Sequence, residues 1–294
     1  MPSPSRPRRS ALYMPGSKAR ALEKARTLAA DALILDLEDA VGPTEKTAAR
    51  GMVAVAVKAG GVGRREVTIR INGLDTEWGA ADLEAAAAAA PDAVVVPKVS
   101  SPAEVAEVVA RLDAAGAPDT VAVWAMMETP LGILNAREIA GAHPRLACLV
   151  MGTNDLVKEL GAEHSEARAE VMTSLSLCLL AARAHGLAIL DGVYNAYQDE
   201  AGLEASCAQG KALGFDGKTL IHPAQLAVAN RVFAPGAAEL ELARRQVAAF
   251  EETRAKGEAV AVVDGRIVEN LHVETAQALI AKAEMIAALE AEAA

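Results

Sequence analysis

The chain of 294 residues carries 29 Lys+Arg against 39 Asp+Glu, a formal charge of −10, with 52% hydrophobic and only 3% aromatic residues. That length holds one large or two ordinary domains and buries enough surface to fold without a metal or disulfide staple. The acidic balance argues against nucleic acid as a partner, and three cysteines without C-x-x-C spacing, Cys148, Cys178 and Cys207, argue against a disulfide framework or zinc cluster and for a reducing compartment.

In chain order, Met1 to Arg9 is rich in arginine and proline, and no apolar core follows that would make a secretory signal. No stretch is apolar for long enough to span a bilayer, so a cytoplasmic protein is expected. Eight short apolar runs follow: Ala11–Met14, Ala32–Leu37, Val67–Ile71, Ala93–Val96, Val121–Met126, Leu146–Met151, Leu187–Leu190 and Lys218–Ile221. Each precedes a longer amphipathic stretch, the signature of repeated strand-helix units. Helix starts are marked by Pro43-Thr44, by Thr129-Pro130 and by Ser101-Pro102-Ala103-Glu104, which reads as a capping box. Continuously apolar strands alternating with helices imply a parallel sheet covered on its outer face.

Eight such units match a (β/α)8 TIM barrel in strand number and size. The competing open, doubly wound sheet expects a G-x-G-x-x-G turn after the first strand, where this chain has Pro15-Gly16-Ser17-Lys18. The expected organisation is a catalytic barrel over 9–232 and a C-terminal helix-hairpin-helix arm over 233–294. In the arm, Pro235–Lys256 reads as helix, Ala259–Val268 as a hairpin turning at Asp264-Gly265, and the stretch from Val273 as a final helix. Its apolar face needs cover, and a neighbouring subunit would supply it.

Active sites of such barrels sit at the C-terminal ends of the strands. Those positions gather Asp36, Glu38, Arg70, Lys98, Glu128, Gly152-Thr153-Asn154-Asp155, Asp191 and His222. Glu128 and Asp155 end neighbouring strands, and two carboxylates with open positions suit Mg²⁺, or Mn²⁺, better than zinc; the alternative is a pair of solvated rim acids. Arg70 offers bidentate donors to a substrate carboxylate or oxyanion, or else pairs with Asp36 or Glu38. Lys98 is either a Schiff-base lysine or a charge balancing the acids. The backbone of Gly152-Thr153-Asn154 offers N–H groups to a carboxylate.

The motifs Arg9-Ser10-Ala11-Leu12-Tyr13-Met14-Pro15-Gly16, Leu35-Asp36-Leu37-Glu38-Asp39-Ala40-Val41, Arg70 to Gly79, Met127 to Ile133 and Gly214 to Pro223 follow one another in an order that resembles the citrate lyase β-subunit and malyl-CoA lyase family. The resemblance implies a Mg²⁺-dependent enzyme that cleaves or forms a carbon–carbon bond in a 3-hydroxyacyl-CoA such as malyl-CoA or citramalyl-CoA, giving acetyl-CoA and a 2-oxo acid. It implies that Glu128 and Asp155 bind the metal and that Arg70 binds substrate. It further implies trimers or hexamers in which the arm completes a neighbour's site.

In the malyl-CoA lyases an acid of that arm is catalytic, and Gly265-Arg266-Ile267-Val268-Glu269 stands here where those relatives carry Gly-Lys-Met-(Ile/Val)-Asp, so Glu269 replaces an aspartate. Failing Glu269, Asp36 or Glu38 would carry the proton. Coenzyme A is expected over the first strand-helix loop, with Arg9, Ser17 and Lys18 near its phosphates and Ile221-His222-Pro223 beside its arm. Three alternatives share these residues: a citrate lyase β-subunit acting on citryl groups of an acyl carrier protein, a malyl-CoA thioesterase, and a catalytically silent assembly subunit.

Overall fold

The computed structural model describes residues 6–257 and 259–293; residues 1–5 of the stretch read for a leader lie outside them. The eight apolar runs form eight parallel strands: β1 (Ser10–Pro15), β2 (Ala32–Asp36), β3 (Glu66–Arg70), β4 (Ala93–Val96), β5 (Ala122–Met127), β6 (Leu146–Met151), β7 (Ala188–Asp191) and β8 (Gly217–Leu220). They hydrogen-bond in sequence order, and β1 pairs with β8 to close a (β/α)8 barrel. Among the described residues no helix is long and apolar enough to cross a membrane.

The period-two alternation of each strand sorts its side chains into two cores. Ala11, Ile34, Val95, Trp124, Met126, Cys148, Val150 and Leu190 fill the barrel interior. Leu12, Leu33, Leu35, Ile69, Val94, Val123, Leu149 and Ile189 pack outward against the helices. Continuing the inward set toward the strand ends gives Asp36 after Ile34, Glu128 after Met126 and Gly152 after Val150, with Arg70 in the same phase two residues after Thr68. The alternation that fills the barrel therefore also builds its mouth. All three cysteines are buried and free.

The helix starts differ in detail from the sequence signals. Thr129 caps the helix Pro130–Leu134, its hydroxyl accepting from the Gly132 N–H at 3.0 Å. The reciprocal box at Ser101 does not form: the Ser101 hydroxyl donates to Glu104 Oε1 at 3.2 Å, while Glu104 Oε2 accepts from the Ser100 N–H at 2.9 Å. The glutamate satisfies a donor just outside the helix and engages the hydroxyl that would have capped it. Pro43 opens a single 3₁₀ turn, Pro43–Glu45, before the helix Lys46–Ala59.

The described residues divide into two compact units, one holding Arg8–Phe233 and the other Ala234–Glu292. In the second, the helix Ala237–Ala255 and the hairpin strands Ala261–Val263 and Arg266–Val268 precede the helix Asn270–Ala293. Asp264 and Gly265 both take positive φ, 49° and 73°, as a two-residue hairpin turn requires. Phe250, Ala261, Val263, Val268 and Val273 form its small core, and Val262, Ile267 and Leu271 are exposed.

Candidate active site

The barrel mouth holds a cavity of about 340 Å³ whose wall includes Tyr13, Asp36, Arg70, Met126, Glu128 and Asp155. Arg70, from the end of β3, is gripped by Asp36 from β2: Nε donates to Oδ1 at 2.7 Å and Nη2 to Oδ2 at 2.5 Å. Its third nitrogen, Nη1, lies 2.8 Å from Glu38 Oε2, and the guanidinium stacks 4.7 Å from the Tyr13 ring centroid. Burial works against this charge, but the Asp36 carboxylate outweighs burial and keeps Arg70 firmly protonated.

Asp36 is fully buried, and its oxygens also accept the N–H groups of Glu38 and Ala40 at 2.9 and 3.1 Å. Each of its oxygens accepts one hydrogen bond from Arg70 and one from the backbone, so Asp36 orients Arg70, whereas Glu38 Oε2 is left without a hydrogen bond. Glu38 bridges the two cations of the mouth, Arg70 and Lys98, with Lys98 Nζ 3.1 Å from Oε1. Burial raises its carboxyl above the usual range against the pull of Arg70.

Glu128 follows β5 and is almost fully buried; its Oε1 accepts the Lys98 N–H at 2.8 Å. Burial, then the charge of Glu38, pushes its carboxyl up to about 8. Its place depends on Gly152, because a Cβ there would stand 2.1 Å from Glu128 Oε2. Asp155 lies in the first turn of the helix Thr153–Leu160, with Oδ1 3.9 Å from Lys98 Nζ. The Lys98 backbone adopts a left-handed conformation, φ 53°, uncommon for a side chain of this size. Burial lowers its affinity for a proton, but Glu38 and Glu128 outweigh that and raise it. An ammonium held among acids is a poor Schiff-base nucleophile, so Lys98 balances charge.

Among the described residues no cluster of three or more His, Cys, Asp or Glu is placed to hold a metal. Glu128 and Asp155 supply two hard oxygen donors beside a cavity, Glu128 accepting the Lys98 backbone N–H and Asp155 standing 3.9 Å from the Lys98 ammonium. Such a pair fits Mg²⁺, which commonly keeps water and substrate oxygens for its other positions.

Gly152, Thr153 and Asn154 also line the cavity. The Asn154 amide exchanges two hydrogen bonds with that of Asn195, at 3.1 and 2.9 Å. Ile221 is exposed at the rim; His222 accepts the Ala224 N–H through Nδ1 at 3.2 Å and packs on Tyr197 at 4.5 Å between centroids, with Pro223 next in the turn. Lys18 is exposed and 3.5 Å from Glu45, whereas the Ser17 hydroxyl is buried with no partner. Glu269 belongs to the second unit, exposed, its N–H donating to His272 Nδ1 at 3.0 Å.

Arg9 is a correction. It precedes β1 at the opposite end of the barrel and is buried in a bidentate pair with Asp31, at 2.9 Å from each nitrogen, so it is not available to phosphates at the mouth. Asp191 is buried outside the barrel interior, between Lys218 at 2.7 Å and Arg168 at 2.8 Å, and is structural. Sequence reasoning missed Tyr13, whose signal was its inward phase on β1, and Lys46, described below.

A closed eight-stranded barrel that gathers carboxylates and one clamped arginine around a cavity at the C-terminal ends of its strands has the build of a barrel enzyme with its site at the mouth. Residues 9–223 match the model of the HpcH/HpaI aldolase/citrate lyase family, and the chain belongs to this family of carbon–carbon lyases. It is 60% identical over 97% of its length to a (3S)-malyl-CoA thioesterase of Cereibacter sphaeroides, covering 98% of that protein. It is 33% identical over 98% of its length to an L-malyl-CoA/beta-methylmalyl-CoA lyase of the same species, covering 98% of it. Among solved structures, CitE of Mycobacterium tuberculosis in complex with magnesium, acetoacetate and coenzyme A superposes with a TM-score of 0.75 at 32% identity, with 94% of this chain and 97% of that one covered.

Proposed function

We propose that this enzyme takes (3S)-malyl-CoA, or a close 3-hydroxyacyl-CoA, and hydrolyses it to malate and coenzyme A. The observation that carries this reading is the contrast between 60% identity to a thioesterase of that substrate and 33% to a lyase of it, both over nearly the whole chain. Glu269, standing where the lyase pattern has aspartate, agrees with it, because a carboxylate moved by one methylene is displaced from the carbon it would protonate.

Held by Glu128 and Asp155, Mg²⁺, or Mn²⁺ in its place, would supply a Lewis acid for the hydroxyl and carboxylate oxygens of the substrate. Arg70 stabilises the oxyanion that develops on the thioester carbonyl, its orientation set by Asp36. A water oxygen adds to that carbon, the C–S bond breaks, and the water's proton passes to the sulfur. Glu38 within the barrel and Glu269 of a second copy are the carboxylates assigned to proton transfer. Thr153 and Asn154 line the pocket for the acid portion, and coenzyme A lies over the loop of Ser17 and Lys18 toward Ile221, His222 and Pro223. The exposed Val262, Ile267 and Leu271 give the arm an apolar face for another subunit in a trimer or hexamer.

Cleavage to acetyl-CoA and glyoxylate is the second reading, favoured by the family and by Arg70, Glu128 and Asp155 all being in place. Incubating the purified full chain with Mg²⁺ and malyl-CoA, and identifying products, separates the two. Free malate and CoA are expected; acetyl-CoA with glyoxylate overturns hydrolysis in favour of the lyase. Turnover of citryl thioesters alone would assign the chain to a citrate lyase complex, and no turnover at all to an assembly role.

A further inference from the structure

Behind the mouth lies a buried polar network that the proposed reaction does not use. The Lys46 ammonium, on a side chain 6% exposed, donates to the carbonyls of Leu37 at 3.0 Å and Glu38 at 2.9 Å and to Asn72 Oδ1 at 2.6 Å. It lies 5.0 Å from the centroid of the Trp78 ring. Asn72 in turn donates through Nδ2 to the Leu37 carbonyl at 2.8 Å, and through its backbone N–H to Asp82 Oδ2 at 3.0 Å. Asp82 is fully buried and accepts from Arg50 Nε at 2.7 Å on its other oxygen.

The peptide groups this network ties belong to one loop. The N–H groups of Glu38 and Ala40 are held by Asp36, and the Leu37 and Glu38 carbonyls by Lys46. Both the N–H and the C=O of Glu38 are therefore held by charged partners, Asp36 and Lys46. Asn72 stands two residues beyond Arg70, so the same ammonium links the loops that carry the two halves of the Arg70 ion-pair cluster. An apolar side chain in that place would fill the space without the desolvation of an ammonium, and burying a charge is poor evidence of a purely stabilising role.

We propose that Lys46, through Asn72, is a positioning residue for the reaction. It fixes the Glu38 backbone, and with it the carboxylate that shares Arg70 with the incoming substrate oxygen and holds Lys98. Displacing a catalytic constellation by about an ångström costs on the order of a hundredfold in rate. The activity arm of the test rests on the malyl-CoA reading above; a second arm does not.

In the full-length protein, Lys46→Met is expected to lower kcat on malyl-CoA by about 30- to 100-fold with KM changed less than about threefold. Hydrogen exchange of the 36–42 peptide should rise by about tenfold or more, as expected where local opening becomes easier, while the strand peptides exchange as in wild type. Lys46→Gln, which keeps one donor toward the two carbonyls, should fall between the two in both readouts, and it decides the matter should Lys46→Met not fold. Unchanged exchange, or faster exchange with unchanged kcat, overturns the proposal; so does a kcat loss that only tracks a lowered Tm. Should wild type turn over no malyl-CoA, the substrate reading falls, and the exchange arm alone decides whether Lys46 fixes the loop.

Discussion

At the N-terminal end of the barrel Arg8 pairs with Glu66 at 2.6 Å, stacking 5.2 Å from the Trp124 centroid, and Arg9 pairs with Asp31 at 2.9 Å. At the C-terminal end Arg70 pairs with Asp36 at 2.5 Å. The pairs look alike and sit in opposite surroundings. Below, two arginines meet two carboxylates and the charges cancel. Above, Arg70 and Lys98 face the carboxylates of Asp36, Glu38 and Asp155, and Glu128, whose carboxyl burial raises, stands beside them, so acidic groups outnumber cations around the cavity. The balanced end is internally neutralised; the unbalanced end leaves carboxylates beside a cavity, where the proposed Mg²⁺ would sit.

This contrast can be broken from either side. Asp155→Asn should reduce metal-dependent turnover by about a hundredfold or more, as loss of a group that holds transition-state charge does, while Tm stays level or rises because like charge is removed from the mouth. Steady-state kinetics across a Mg²⁺ series with a parallel melt checks both halves; full activity would remove Asp155 from the metal site. The reverse holds below. Arg9→Met strands Asp31 in the interior and should cost about 3–5 kcal/mol of stability by denaturant unfolding, with kcat of the folded fraction unchanged. A kcat lost at preserved stability would mean that the lower end reports to the mouth.

Lys98→Met sharpens the comparison more gently. Removing the ammonium that Asp155 and Glu38 share increases the negative charge of the mouth, so calorimetry should show Mn²⁺ binding tightened by about three- to tenfold. Weaker binding would show that Lys98 organises the donors instead of competing with the ion.

Asp191 tests whether balance or location matters, since it ends β7 at the upper end but lies outside the interior. Burial raises its carboxyl, and Lys218 and Arg168 outweigh burial and hold it below the usual range. A carboxyl depressed in the folded state contributes stability that is present above its unfolded pKa of about 3.9 and is lost as pH falls through the folded value. Wild-type stability should therefore decline as pH drops below about 4, and this acid decline should flatten in Asp191→Asn. An unaltered decline would place the acid-sensitive pair elsewhere.

The barrel was legible because each strand is an apolar run too short for a helix, and the order of the motifs carried the family. The mouth was legible as a set of residue types at strand ends. What the residues do to one another was not. Asp36 as orienter and Arg9 as a lower-end pair depend on partners 34 and 22 positions away, and nothing local distinguishes them from free charges. Lys46 and Asp82 sit in the opening turns of their helices, where a charge reads as an ordinary surface residue. The failed box at Ser101 shows the same limit at short range, since the motif specified its atoms but not which of two nearby N–H groups Glu104 would accept.

Gly152 gives the enzyme an off-switch that electrostatics cannot see. Replacing it by alanine adds a single methyl group, alters no ionisable side chain and leaves the formal charge at −10, yet that methyl must occupy the space of the Glu128 carboxylate. Gly152→Ala is therefore expected to lose turnover at unchanged charge, and where a melt shows it folded it separates a phenotype of lost catalysis from loss of the protein itself.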